Sequence, residues 1–210
     1  MSRLKEQGRS PQPRHYTMRR RAELVDRTRE RITEAAVRLH TTVGPSRASM
    51  SAVAKEAGVT RLTLYRHFAT SSDLFSACMG HWRALHPSPD PEPWRQIHGA
   101  EERSRLALSE LYAWYGDNRD GLFPLYRDVA AVPESTQRAR ALGNSRMADA
   151  LLHGCVQGGI AGRRLRAAAG HVVVYWTWRS LVVEQGLTTS QAVDLAVTML
   201  MAAGAAKRRS

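Results

Sequence analysis

Two short helical patterns separated by a turn at Gly58 are the feature that most restricts how this chain can fold. Ser49 is placed as an N-cap for a helix over Met50–Ala57, and Gly58 is placed to end that helix. Thr60 is placed to cap a second short helix that runs to about Phe68. This layout predicts a helix-turn-helix, in which the second helix enters the major groove of DNA and the first braces it across the backbone.

The second short helix has an inward and an outward face. At about 100° per residue, Leu64 and Phe68 share one face, which we expect to pack inward against Val53. The residues expected on or beside the outward face are Arg61, Leu62, Thr63, Tyr65 and Arg66. This outward face is the candidate surface for reading DNA.

The side chains of this face have the chemistry of DNA contacts. Arginine can donate two hydrogen bonds to guanine, threonine can bond a base, and tyrosine and histidine can bond phosphate oxygens. We expect Arg61, Leu62 and Thr63 to approach base edges, and the backbone N–H groups beside Thr60 to contact a phosphate. The full predicted DNA-binding set is Ser49, Thr60, Arg61, Leu62, Thr63, Tyr65, His67 and Ser71.

Positive charge is concentrated at the ends of the chain. The formal net charge is +12. Residues 1–70 hold 15 Lys and Arg against 6 Asp and Glu, residues 71–206 hold 13 of each, and the last four residues add +3. This distribution predicts that the first third of the chain binds an anionic partner. The remainder, apart from the last four residues, carries no net charge.

The sequence divides into four predicted parts. Residues 1–25, rich in arginine and poor in large apolar groups, are expected to form a flexible basic arm, which is either a solvated tail or a minor-groove contact. Residues 26–85 are expected to form the DNA-binding domain, with a first helix from Asp26 to Gly44 and a fourth capped by Thr70 or Ser71. The expected inward stripes are Ile32, Ala35, Ala36, Leu39 and Val43 on the first helix and Leu74, Phe75, Cys78, Trp82 and Leu85 on the fourth. Alternating prolines predict an extended linker at 86–95.

Residues 96–206 are expected to form an all-α ligand-binding and dimerisation domain. Apolar periodicity predicts helices over Glu101–Asn118, Asp120–Val132, Glu134–Gln157, Ala167–Gln185 and Thr189–Ala203, with a glycine-rich break at 158–162. The β-branched and aromatic run from Val172 to Trp178 also favours a strand, but it has no second strand to pair with. The last helix is apolar on two sides, which predicts burial on both.

The run Val-Ala-Lys-Glu-Ala-Gly-Val-Thr-Arg-Leu-Thr-Leu-Tyr-Arg-His-Phe, followed by Asp73-Leu74-Phe75, closely resembles the DNA-binding domain of the tetracycline-repressor (TetR/AcrR) family. The resemblance is strong over residues 27–80 and weaker at 115–128 and 177–187. It implies an all-helical homodimer whose C-terminal domain binds a small molecule and whose last two helices join the partner's in a four-helix bundle. Leu62 and Ser71 depart from the family pattern, which has a small residue and a phosphate-binding lysine there, so an operator sequence does not transfer.

Aromatic residues are dense beyond the linker, and each alone is more often core than pocket. One face of helix 167–185, that of His171 and Tyr175, is expected to line a ligand cavity, while the face of Val172 and Trp176 is expected to meet the partner subunit. The predicted ligand-binding residues are Trp114, Phe123, Tyr126, His171, Tyr175 and Trp178.

The sequence lacks the motifs that are typical of several other classes of protein. Two cysteines are too few for a disulfide scaffold. No secretory signal and no apolar run of about 18 residues is present, so a cytoplasmic protein without a membrane partner is expected. No P-loop, His-Glu-x-x-His or Gly-x-Ser-x-Gly motif suggests catalysis, and Cys78-x2-His81 lacks a second ligand pair, so neither cofactor nor metal is expected.

The sequence therefore predicts a non-enzymatic transcriptional regulator, a homodimeric repressor that a small, largely apolar ligand releases from a near-palindromic DNA operator. An architectural DNA-binding protein without an effector is the alternative. A third candidate is a small-molecule protein that keeps a vestigial helix-turn-helix.

Overall fold

The computed structural model describes residues 13–155 and 158–205, and every regular element within them is helical. The α-helices are Pro13–Thr42 (α1), Met50–Glu56 (α2), Arg61–His67 (α3), Ser71–Leu85 (α4), Ala100–Asp117 (α5), Arg119–Arg127 (α6), Glu134–Leu151 (α7), Gly159–Val172 (α8), Tyr175–Trp178 (α9) and Thr189–Ala205 (α10). Short 3-10 turns at Pro93–Gln96 and Val129–Ala131 and a π-helical segment at Arg179–Glu184 complete the described elements. The predicted all-α fold is confirmed.

The first helix is longer than the sequence predicts. It begins at Pro13 rather than Asp26, so the expectation of a flexible arm is wrong for residues 13–25, and residues 1–12 lie outside the described part of the chain. This segment contains four arginines together with Ala22, Glu23 and Leu24, which are good helix formers, and Arg19 and Glu23 form an ion pair of 3.4 Å one turn apart. The positive charge of this segment disfavours its burial in a core but does not prevent it from forming a helix.

A small core holds α1–α4 together. Ile32, Ala35 and Ala36 of α1 are fully buried, as their spacing predicts. Val43 and Leu85, expected to face inward, are exposed instead, because each lies at the end of its helix beyond the packed surface. The Thr70 hydroxyl accepts a hydrogen bond from the backbone N–H of Asp73 (3.1 Å), and the Asp73 carboxylate accepts one from the backbone N–H of Thr70 (3.0 Å). This capping box fixes where α4 begins.

The proline-rich segment after α4 contains no α-helix, but it is more than a spacer. Trp94 in its 3-10 turn is buried, and its indole N–H donates to the Glu110 carboxylate of α5 at 2.7 Å. This contact anchors the end of the segment to the C-terminal helices.

Helix α7 ends at Leu151 instead of Gln157, and the buried Arg103 of α5 accounts for the end. Its guanidinium donates hydrogen bonds to the carbonyl oxygens of Leu151 (3.1 Å) and His153 (2.6 Å). Carbonyls at a helix end need such partners. Gly154 then turns the chain at a φ of +74°, a conformation that glycine adopts easily.

The helix predicted over Ala167–Gln185 is two helices with a break at Val173 and Val174. The Tyr112 and Tyr115 hydroxyls of α5 donate to the carbonyl oxygens of Val172 and Val173, each at 2.9 Å. These bonds satisfy the freed carbonyls at the break. Helix α8 also begins earlier, at Gly159, so the glycines at 159 and 162 lie within it.

Helix α10 packs on α5 and α8 through Ala192, Val193, Ala196, Val197 and Leu200, which are all buried. The adjacent Leu195 and Met199 remain 39% and 42% exposed. Within one chain the predicted burial of α10 on two sides therefore holds for Val193 and Val197 and fails for Leu195 and Met199. None of the helices in the described ranges has the length and apolar character needed to cross a bilayer.

Candidate nucleic-acid interface and ligand cavity

The two short helices have the predicted caps. The Ser49 hydroxyl accepts the backbone N–H of Ala52 at 3.2 Å, and the Thr60 hydroxyl accepts that of Thr63 at 3.1 Å. Gly58 turns the chain between the helices at a φ of +63°. Each cap supplies a partner for one of the N–H groups that a helix start leaves unpaired. The local sequence thus sets where α2 and α3 begin.

Helix α3 is held from below by a buried core and from the side by Arg29. Leu64 and Phe68 are buried with Val53 of α2, as predicted. The Arg29 guanidinium of α1 donates to the His67 carbonyl oxygen at 2.7 Å and lies 4.2 Å from the centre of the Phe68 ring. A hydrogen bond and a cation–π contact therefore fix the end of α3 against α1.

The opposite face of α3 is open to solvent. Leu62 is 71% exposed and Tyr65 is 42% exposed, and Arg61 and Arg66 are exposed beside them. The Arg61 guanidinium lies 5.9 Å from the centre of the Tyr65 ring. This surface, Arg61, Leu62, Tyr65 and Arg66, is called the α3 face below. The α3 face combines two cationic side chains with a tyrosine hydroxyl, and none of these groups is part of the buried core.

The other predicted DNA-binding residues lie around this face in different environments. Ser49 and Thr60 are exposed at the starts of α2 and α3, and Ser71 is the exposed first residue of α4. Thr63 and His67 are half-buried, and the Thr63 hydroxyl is already 2.9 Å from that of Thr60. Six of the eight predicted residues are therefore exposed, and Thr63 and His67 are the least available.

A cavity of about 520 Å³ lies between α4, α5, α6, α7 and the start of the proline-rich segment. Trp82 and Trp114 line it and make an edge contact with ring centres 6.1 Å apart. Leu122 and Leu125 of α6 contribute further apolar surface, and exposed His86 lies at the mouth. This size and lining are typical of a site for a small organic molecule.

Only two of the six predicted ligand-binding residues, Trp114 and Tyr126, line this cavity. Tyr175 and Trp178 are buried behind its wall, where Tyr175 stacks on Tyr126 with ring centres 4.3 Å apart. Phe123 faces another way, with the Arg179 guanidinium 4.2 Å from the centre of its ring.

The expectation that His171 lines the cavity is wrong, because its side chain is exposed to solvent. The break after Val172 separates the register of α8 from that of α9, so His171 and Tyr175 no longer share a face. None of the described residues of α8 lines the cavity. Helix 167–185 therefore supports the cavity wall through α9 but does not line it.

The polar groups around the cavity are mainly donors. The Arg140 guanidinium of α7 lies 4.5 Å from the centre of the Tyr126 ring. The indole N–H of Trp114 is buried without a hydrogen-bond partner among the described residues. Burial raises the pKa of the Tyr126 hydroxyl, although Arg140 acts in the opposite direction. The phenol therefore remains protonated at neutral pH.

Comparisons with known proteins agree with this geometry. The family described as "Bacterial regulatory proteins, tetR family" matches residues 32–78, which include α2, α3 and the core beneath them. The helix-turn-helix unit is thus similar to the DNA-binding domain of the TetR family. The HTH-type transcriptional regulator AcrR of Shigella flexneri is 49% identical over 49 residues, which are 23% of this chain and 23% of that relative. That match spans under a quarter of either protein.

A solved structure extends the likeness to the C-terminal helices. A TetR-like transcriptional regulator from Rhodococcus sp. RHA1 has a TM-score of 0.54 and 25% identity, over 86% of this chain and 97% of that one. The multidrug binding protein EbrR, solved with imidazole, has a TM-score of 0.49 and 25% identity, over 81% and 93% of the two chains.

A polar joint connects the TetR-family DNA-binding domain to the cavity wall. The Asp128 carboxylate, after the end of α6, accepts hydrogen bonds from the Ser46 backbone N–H (3.1 Å) and the Ser46 hydroxyl (2.5 Å). Arg127 donates to the Val43 carbonyl oxygen at 2.9 Å. Gly44 has a φ of +97°, and a Cβ there would collide with the Asp128 carboxylate. We call these residues, Val43, Gly44, Ser46, Arg127 and Asp128, the α6 joint.

Electrostatics favour the joint in its charged form. The Arg127 guanidinium, with Nε 2.7 Å from the carboxylate, and the Ser46 hydroxyl hold the pKa of Asp128 well below its usual range. The joint holds the loop that leads to Ser49, the cap of α2, while α6 itself supplies Leu122 and Leu125 to the cavity. The joint therefore links the end of α6 to the loop that precedes the helix-turn-helix.

The sequence alone does not identify Arg29, Ser46 or Arg140 as functional residues. In the sequence, Arg29 is one of many charged residues and nothing distinguishes it from the others. Arg140 lies in a predicted helix that contains no recognisable polar motif. Arg127 and Asp128 do end a segment that resembles the family, which is the one signal that pointed toward the joint.

Proposed function

We propose that this TetR-family transcriptional regulator is a repressor whose dimer places two copies of α3 in successive major grooves of a near-palindromic DNA operator. The observation that carries the proposal is the α3 face: two arginines and an exposed tyrosine on a helix whose other side is fixed in a core. Arginine at a base edge and tyrosine at a phosphate suit the two kinds of contact that such a helix makes. A protein with this partner works in the cytoplasm, where bacterial DNA lies.

The test is DNA binding by Arg61→Ala and Tyr65→Ala, measured by fluorescence anisotropy on a duplex selected from random sequence. Loss of a good base contact weakens binding by about 1–3 kcal/mol, so we expect a fall of roughly 5- to 150-fold for Arg61→Ala. Arg119→Ala removes an equally exposed arginine from the C-terminal helices and should leave affinity nearly unchanged. Equal affinities for all three variants and the unaltered protein would exclude α3 as the reading helix.

The dimer in this proposal forms through α10. Leu195 and Met199 lie one turn apart and remain exposed beside the buried apolar face of α10. A stripe of this kind, continued by a second copy, is how the last helices of two subunits form a bundle. We expect Leu195→Glu to shift the protein from dimer to monomer in sedimentation velocity. Leu142→Glu, on α7, changes an exposed leucine elsewhere and should not. A dimer that resists Leu195→Glu would place the interface on another surface.

The cavity favours an effector-controlled regulator over an architectural DNA-binding protein. An architectural protein has no use for a 520 Å³ space lined by Trp82 and Trp114. Its walls belong to α4, which joins the DNA-binding domain to the rest, and to α6, which carries the joint at Asp128. A ligand that changes either helix alters the spacing of the two α3 helices, and a preference of a few kcal/mol for the wrong spacing empties the operator.

A matched pair of cavity variants tests this step. Leu125→Trp fills the space from α6, and Leu142→Trp adds the same group on the exposed side of α7. If the cavity controls DNA binding, only the first alters operator affinity or the response to added small molecules. Identical behaviour of the two variants would favour the architectural function.

A further inference from the structure

The charges around the cavity are all of one sign. Arg83 and Arg140 line it, and among the described lining residues no Asp or Glu is present. A cationic ligand would find no countercharge there and would meet two guanidinium groups. An anion would be attracted, since the remaining walls are apolar and screen charge poorly.

Arg140 has a geometry suited to an outside partner. It is half-buried and lies 4.5 Å from the centre of the Tyr126 ring, and none of the ion pairs among the described residues involves it. Arg138, on the exposed side of the same helix, differs from Arg140 in this respect. Its guanidinium pairs with the Glu134 carboxylate at 2.5 Å. A guanidinium stacked on a ring leaves its edge N–H groups available, and their fork matches the two oxygens of a carboxylate.

A second, independent observation indicates an acceptor on the ligand. The Trp114 indole N–H is buried and has no hydrogen-bond partner among the described residues, although Trp114 lines the cavity. A buried donor without a partner costs free energy that an acceptor would recover. The Tyr126 phenol stays protonated because burial raises its pKa, so it does not neutralise Arg140.

We propose that the cavity binds an apolar organic anion, a compact aromatic carboxylate, with its carboxylate at Arg140 and its ring system against the indole rings of Trp82 and Trp114. This assignment rests on the proposed function only in treating the cavity as the effector site. It goes beyond that function in naming the charge of the effector and the residue that reads it. Neutral molecules of the same shape bind more weakly, and cations bind weakest.

Three probes of one shape and different charge test the proposal. They are naphthalene-2-carboxylate, 2-naphthalenemethanol and 2-naphthylmethylammonium, each titrated into the full chain at pH 7.5 by isothermal calorimetry. We expect the carboxylate to bind at least about tenfold more tightly than the alcohol, which is the scale of one charge-assisted bidentate pair. Tighter binding of the ammonium, equal binding of carboxylate and alcohol, or no binding of any probe at 1 mM overturns the proposal.

Two variants on α7 locate the effect. Arg140→Gln should abolish the preference for the carboxylate over the alcohol while leaving alcohol binding within about twofold. Arg146→Gln removes the same charge from an exposed position outside the lining and should keep the preference. A preference that survives Arg140→Gln, or is lost equally in both variants, refutes the role of Arg140. Circular dichroism of each variant establishes that the helical content is unchanged.

Operator binding, measured in parallel, separates this inference from the proposed function. Arg140-dependent binding of the carboxylate with no change in DNA affinity would support the ligand class and refute effector control. DNA release by the neutral alcohol, with no charge preference, would support effector control and refute the ligand class.

Discussion

The α6 joint makes a quantitative prediction for Asp128→Asn. The Asp128 side chain is only 8% exposed and accepts two hydrogen bonds from Ser46 and two from Arg127. A hydrogen bond to a charged group contributes about 1.5–3 kcal/mol, roughly twice a neutral one, so neutralising the acceptor removes about 1 kcal/mol for each Ser46 bond. Arg127 is exposed, so solvent screens its ion pair with Asp128 and this pair contributes little.

We therefore expect Asp128→Asn to lower the free energy of unfolding by about 2 kcal/mol, which for a chain of this length lowers the Tm by roughly 4–8 °C. Urea denaturation followed by circular dichroism measures the change. Asp120→Asn, on the same helix and almost fully exposed beside Arg119, is the matched control and should stay within about 0.5 kcal/mol of the unaltered protein. In a double-mutant cycle, Ser46→Ala and Asp128→Asn should couple by about 1 kcal/mol or more.

The pH dependence of this difference has a definite sign. The folded state lowers the pKa of Asp128 below the value of about 3.9 that it has in an unfolded chain. Its stabilisation is therefore complete above about pH 4 and is lost as the pH falls below that value. The gap between the unaltered protein and Asp128→Asn should narrow from pH 5 to pH 3. A gap at pH 7 no larger than that of Asp120→Asn, or one that widens in acid, would refute the reasoning.

Three further predictions concern the N-terminal unit. Gly44→Ala should destabilise by about 2 kcal/mol or more in urea denaturation, because the φ is +97° and the new Cβ meets Asp128, whereas Gly80→Ala in open helical space should be neutral or stabilising. Burial lowers the pKa of His40 to about 4, so stability should fall as the pH drops from about 6.5 to 4, and His40→Phe should flatten that slope in a pH series of unfolding curves. Thr60→Ala should lose about 1 kcal/mol with the cap of α3, whereas Thr60→Ser should retain most of it; equal losses would show that the hydroxyl bond to α3 is not what stabilises it.

The features predicted correctly from the sequence are those determined within a few residues. Ser49 and Thr60 cap α2 and α3 because an N-cap depends only on the residue and the two or three N–H groups after it. The inward positions of Leu64 and Phe68 follow from helix geometry alone. These short-range rules were enough to define the α3 face.

The features missed depend on contacts between distant parts of the chain. The break after Val172 is supported by tyrosine hydroxyls about 60 residues earlier in the sequence, and the end of α7 by Arg103. No local pattern contains that information. A continuous helix would place His171 and Tyr175 on one face, which is why the sequence predicts a cavity at a helix that does not line it.

The strength of the α6 joint determines how it can transmit a signal. A switch works when its coupling energy is comparable to the preference of the ligand for one state, a few kcal/mol. A joint worth about 2 kcal/mol lies in that range, and it acts beside the packing of α1 on α6. Gly44 keeps the approach of Asp128 to Ser46 free of a side chain, so the contact can open and close without repacking a core. A polar joint of moderate strength is therefore what a regulator needs between its cavity and its DNA-binding helix.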